Sequence, residues 1–205
     1  MQAANRSWLT PMAEPQLRFV KRSEATFATM LSEAQKDAAV LEPRVNQIFQ
    51  VLKLGESART EEESVRWQAG FDLAMGRVMA VKARTEAYNA MLAKAKRGLK
   101  FTNPKNNTWI LAPADELTVG SQVSKTGEKA KEYLNRVVEE HAETPWALLA
   151  QRELDQQIGW KWVEDFTDLA PPARGGGGGG NAAPATNDAA RKLKKPAPKR
   201  KLPKL

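Results

Sequence analysis

The chain contains no cysteine and a single histidine, His141, among 205 residues. Without cysteine there is no disulfide framework, zinc–thiolate site, iron–sulfur cluster or thiol nucleophile, and one histidine excludes a paired-histidine metal site. Long apolar runs are missing as well. No window approaches 18 consecutive apolar residues, so a membrane-spanning helix is not expected. The opening MQAANRSWLTPMAEP lacks the basic-then-apolar layout of a signal peptide. That points to a cytoplasmic protein, or to the envelope if the chain is a fragment of a larger one. No G-x-S-x-G elbow occurs, so nucleophilic catalysis lacks its parts.

What is present is charge, unevenly placed. The net charge is +8. From Pro171 onward nine basic side chains face one acid, Asp188, and this accounts for the whole excess. The preceding 170 residues are electrically balanced, which argues against a broad basic face for gripping phosphates. The segment from 171 to 205 holds a Pro-Pro pair, six glycines (Gly175 to Gly180) and the basic stretch RKLKKPAPKRKLPKL. With so little apolar surface to bury it cannot repay its ordering entropy, and it reads as a disordered Gly-rich linker and basic tail.

The body reads as all-α. From about Pro15, apolar residues recur at Val20, Phe27, Leu31, Ala34, Ala38 and Leu41, a helical repeat that resumes at Val45, Ile48 and Leu52. Pro43 predicts a break or kink. Gly55 reads as a left-handed helix stop. Thr60 to Glu63 reads as a capping box with an acidic first turn, opening a second helix closed by Gly98. Its inner stripe is Ala69, Leu73, Gly76, Ala80, Ala83, Ala87 and Ala90 or Met91. At about 39 residues each, the two helices would span about 58 Å. Their short link predicts an antiparallel hairpin over 15–98, after a flexible N-terminus over 1–14.

Residues 99–125 form an insert in which KFTNPKNNTWILAP predicts a short β-hairpin or extended loop pinned by Trp109. A helix pair follows within 126–170, one helix from about Thr126 to His141 and another from Thr144-Pro145 to about Gln157. GWKW, residues 159 to 162, should pack back on that pair.

Residues 129 to 154, KAKEYLNRVVEEHAETPWALLAQREL, resemble a tetratricopeptide-type helix pair, and more narrowly the repeats of bacterial envelope lipoproteins. The matching positions are Ala130, Tyr133, Leu134, Val137, Val138, His141, Thr144, Trp146, Ala147, Ala150 and Leu154. The repeat pattern has proline where this chain has Ala142, and here the turn proline comes later, at Pro145. More loosely, 66–92, 100–111 and 144–154 look like the C-terminal helical part of large planctomycete-type proteins carrying a von Willebrand factor A domain. No D-x-S-x-S adhesion motif occurs, so that resemblance implies no metal site.

Each chemical candidate has a plainer reading. His141 stands at a helix C-terminus, where a cation is favoured anyway. Adjacent acids in Glu61-Glu62-Glu63 and Glu139-Glu140 point about 100° apart on a helix and seldom converge. The glycine run lies between no strand and helix, so it is a linker rather than a phosphate loop. Trp109 and Trp146 read as core. Trp160, Lys161 and Trp162 are a possible protein-binding surface through a cation–aromatic face. The strongest signal is Arg191, Lys192, Lys194, Lys195, Lys199, Arg200, Lys201 and Lys204, which would bind a polyanion by counterion release. The expectation is a non-enzymatic interaction or scaffold protein with no cofactor and no metal, a helical surface for a protein partner, and a polyanion-binding tail. The alternative is a non-specific nucleic-acid binder acting mainly through that tail.

Overall fold

Residues 15–169 are described by the computed structural model, and they are mostly helical with a small three-stranded antiparallel sheet. Helix α1 runs Glu24–Leu54 and buries Phe27, Leu31, Ala34 and Val45 of the face drawn by the 3.6-residue repeat, whereas Ile48, expected on that face, is 52% exposed. Its start is fixed by Ser23, whose Oγ accepts from Thr26 N at 3.1 Å while Ser23 N donates to Thr26 Oγ1 at 3.1 Å. Pro43 lies inside the helix without interrupting it. Proline removes the bond to the carbonyl four residues earlier and crowds that carbonyl, and Pro43 sits on the exposed side, where water can take the freed bond.

Helix α2 runs Val65–Lys96 and buries the whole small-residue stripe from Ala69 through Ala87 to Met91. The helices are 31 and 32 residues long, shorter than expected at about 47 Å each. Both differences are local. Residues 15–22 are not helical, and the link contains a 3-10 turn, Ala58–Thr60. Thr60 Oγ1 donates to Ser57 O at 2.7 Å, so it serves that turn instead of capping α2. The N-cap is Ser64, whose backbone N–H donates to Glu62 Oε1 at 2.9 Å, and the first turn of α2 carries no acid. Gly55 is right-handed at φ −86°, and what its missing side chain provides is room, with the Phe71 ring 3.3 Å from where a Cβ would stand. Gly98, at φ +109°, does close α2 in the conformation glycine favours.

The sheet has the order β1–β2–β3, from Arg18–Val20, Thr108–Ala114 and Gly159–Asp165. Phe19 faces Trp109, and Leu111 faces Trp162. The helix expected from Pro15 is therefore a strand up to Val20, in which Phe19 is buried between exposed Arg18 and half-buried Val20. The insert forms no hairpin of its own. Its single strand lies between two partners distant in sequence, and GWKW is an edge strand of this sheet. Two aromatic residues alternating with Lys161 suit a half-buried strand.

Helix α3 runs Ser121–Glu140, starting five residues before Thr126, and α4 runs Pro145–Leu154. Thr144 caps α4 as expected, its Oγ1 accepting from Ala147 N at 3.3 Å with proline in the first turn. Helix α2 is the central element, packed on α1, α3, α4 and β3. One core cluster joins Phe19, Leu31, Leu92 and Leu111, and two more fill the α2–α3–α4 seams around Met79, Ala130, Leu134 and Val137. At Gly76 a Cβ would stand 2.7 Å from Leu134 Cγ, which shows how closely α3 approaches α2.

Candidate interaction surfaces

The tryptophans of β3 pack against α2 through defined polar contacts. Trp160 Nε1 donates to Arg84 O at 3.0 Å and Trp162 Nε1 donates to Met91 O at 3.2 Å. Both rings remain partly exposed, while Lys161 points away into solvent. Trp160 and Trp162 therefore belong partly to the core, and the cation does not stack between them. Trp109 is buried, stacks on Phe101 with centroids 4.7 Å apart, and meets Trp162 edge-on at 6.3 Å. Its Nε1 has no acceptor. Trp109, Trp160 and Trp162 line a groove of about 690 Å³, walled by Met91, Lys94, Leu99 and Lys100 and reaching Asp115 and Glu116 at one end.

Glu164 holds the wall of that groove in place. Its carboxylate accepts from Thr102 N at 2.6 Å, Asn103 N at 3.1 Å and Asn106 Nδ2 at 3.0 Å. Hydrogen bonds from the Thr102 and Asn103 amides lower its pKa to about 2. The loop that carries Leu99 and Lys100 is thereby pinned to β3.

Two buried carboxylates were not singled out in the sequence. Asp72 is 0% exposed on α2, where Arg59 Nη2 reaches Oδ2 at 2.7 Å, Arg59 Nε reaches Oδ1 at 3.3 Å and Arg136 Nη1 reaches Oδ1 at 3.4 Å. Arg59 also meets Glu140 at 3.2 Å, and its pKa is raised chiefly by the hydrogen bond to Asp72. Close by, Tyr133 donates to Glu56, and burial followed by that hydrogen bond pushes its pKa to about 12. Glu153 of α4 is the second, reached by Arg84 at 3.1 Å and Arg77 at 3.4 Å. Their signal in the sequence was an acid on, or beside, an otherwise apolar stripe. These networks clamp α2 to the 55–64 link, α3 and α4, and each carboxylate is already engaged by guanidinium groups.

His141 is 5% exposed at the end of α3, its carbonyl accepting from Thr144, and its Nε2 has no partner. Glu61, Glu62 and Glu63 lie on the exposed link and Glu139 on the exposed face of α3. Among the described residues no three His, Asp or Glu side chains are grouped to hold a metal ion. Trp146 is partly buried against Val137 and Ala150, whereas Trp67 is 66% exposed.

A second surface was not anticipated. On α1, Val40, Ile48, Val51 and Leu54 are spaced by 8, 3 and 3 residues and all are exposed, Leu54 at 83%. Ile48, Val51 and Leu54 form an apolar stripe turned away from Val45 and Phe49, and exposed Arg44 and Gln47 lie between them and Val40. The basic residues from Arg191 to Lys204 and the glycine run lie outside the described residues. No helix among the described residues is long and apolar enough to cross a membrane. Comparison with known protein families, with curated proteins and with solved structures finds no match.

Proposed function

We propose that this chain is a non-enzymatic scaffold whose helical body binds a protein partner and whose basic tail tethers the assembly to a polyanion. The observation that carries the reading is the apolar stripe on α1. A helix locked to its neighbours on one side yet exposing Val40, Ile48, Val51 and Leu54 on the other keeps contact surface available. The resemblance of 129–154 to a tetratricopeptide helix pair agrees with this role, since such pairs act as rigid backing for protein contacts. The tail supplies the second half, with eight cations from Arg191 to Lys204 interleaved with proline. Such a segment binds polyanions through counterion release and reads no base sequence.

The test is partner capture by three forms: the intact chain, the chain ending at Arg174, and an intact chain carrying Val51→Asp with Leu54→Asp. The scaffold reading expects the shortened chain to keep its partner and the stripe variant to lose it. Loss on shortening, with retention by the stripe variant, assigns the activity to the tail and favours the nucleic-acid binder instead.

A further inference from the structure

We propose that the cationic end of the helical body docks the hairpin tip of a second copy of this chain, so that copies join end to end. This goes beyond the scaffold reading and uses a different surface from the α1 stripe.

The fold sorts charge that the sequence balances. Helices α1 and α2 run antiparallel, with Lys96 bonded to Gln35 and Lys82 to Asn46. The 55–64 link therefore lies at one end, and the start of α1 lies with the end of α2 at the other, about 47 Å away. At that second end Lys21 Nζ donates to Leu99 O at 3.4 Å, which brings Arg22 to the loop that follows α2. Exposed Arg22, Lys94, Arg97, Lys100 and Lys105 gather there. The acids beside them are engaged, Glu24 by Lys21, Asp165 by Arg18 and Glu164 by the 102–106 loop.

The tip has the opposite sign. Tyr133 donates to Glu56 and Arg59 meets Glu140, so the end of α3 lies against the link. Glu61, Glu63, Glu139 and Glu143 are exposed there, against Lys53 and Arg66 as exposed cations. Among the described residues neither these four acids nor the five cations of the other end have an ion pair. Val65 and Trp67, exposed in the first turn of α2, add apolar area to the tip.

Two arguments select a second copy as the occupant. The ends stand several Debye lengths apart at physiological salt, so neither neutralises the other within one chain. The body as a whole is balanced, so a long polyanion drawn to one end is repelled at the other, whereas a second copy offers each end its opposite. Tip and cationic end are different surfaces, so the contact is heterologous. Every assembly keeps one free tip and one free cationic end, and growth does not stop at a dimer.

The experiment is sedimentation of the intact chain from about 10 μM to about 1 mM, at low salt and at about 0.5 M salt. The average mass should rise with concentration past that of a dimer in low salt, and fall to that of the monomer in high salt. Three variants locate the contact: Glu61→Lys with Glu63→Lys and Glu139→Lys at the tip; Arg22→Glu with Lys100→Glu and Lys105→Glu at the cationic end; and all six together. None of these six side chains has a hydrogen bond or ion pair among the described residues, so the fold should tolerate them. Each single-end variant should associate about tenfold more weakly or worse. The combined variant keeps the natural net charge and should regain association, which a merely damaged chain would not do. Three results overturn the proposal: an intact chain still monomeric at about 1 mM in low salt, a cationic-end variant that associates like the natural chain, or a combined variant that stays monomeric. Partner capture through the α1 stripe is read separately, so the scaffold reading survives any of them.

Discussion

Asp72 shows how much depends on single side chains in this body. A fully buried carboxylate persists there because two guanidinium groups from different elements reach it. Asp72→Ala leaves those cations without their partner, and should cost about 3 kcal/mol, read as a lower urea midpoint at unchanged slope. A loss below about 1 kcal/mol would show that water replaces the carboxylate. The sequence shows an acid beside Leu73 but not why it is there, since Arg59 and Arg136 are 13 and 64 positions away. Glu164 gives a pH signature. Its folded pKa, about 2, lies below the ordinary glutamate value, so in acid the unfolded chain binds the proton more readily than the folded one. Its contribution is fully present above about pH 5 and is lost as pH falls toward 2. The stability gap between the natural chain and Glu164→Gln should therefore be constant at neutral pH and shrink below about pH 4.5. A gap independent of pH down to about 2 contradicts the assignment.

At the scale of elements, the helices were legible because their signal is local. The stripe from Ala69 to Met91 is a repeat within one segment, and each of its small residues through Ala87 is buried as the spacing requires. Gly76 is the narrowest point of that packing. Gly76→Ala improves intrinsic helix propensity by about 1 kcal/mol but drives a methyl group into Leu134. We expect net destabilisation of about 1–3 kcal/mol, measured by thermal or urea unfolding; a neutral or stabilising result would mean that α3 shifts freely on α2. The strands were not legible in the same way. Arg18–Val20 is three residues long, and its partner lies some ninety positions later, so nothing within the segment distinguishes it from a helix start. GWKW alternates correctly for a strand, yet only its pairing with Leu111 and Ala112 defines it as one. Thr60 misled for a related reason: a Thr-x-x-Glu spacing permits a capping box, but the link needs that hydroxyl for its own 3-10 turn.

For the whole molecule, charge divides along the chain. The described residues through Thr167 form one unit, while the positive excess begins beyond it. That division was visible in composition alone, because net charge and glycine content need no tertiary information. The surfaces were not visible: exposure of Val51 or Leu54 depends on which face of α1 finds a partner, and the groove exists only once β3 lies beside α2. The most direct test of the account measures affinity for a random-sequence DNA duplex across a salt series, with the intact chain and with residues 1–173. The account predicts binding by the intact chain alone, with log affinity falling against log salt at a slope approaching about −7 if all eight tail cations contact phosphate. Equal, salt-steep binding by residues 1–173 would place the polyanion site on the neutral body and contradict the division of roles.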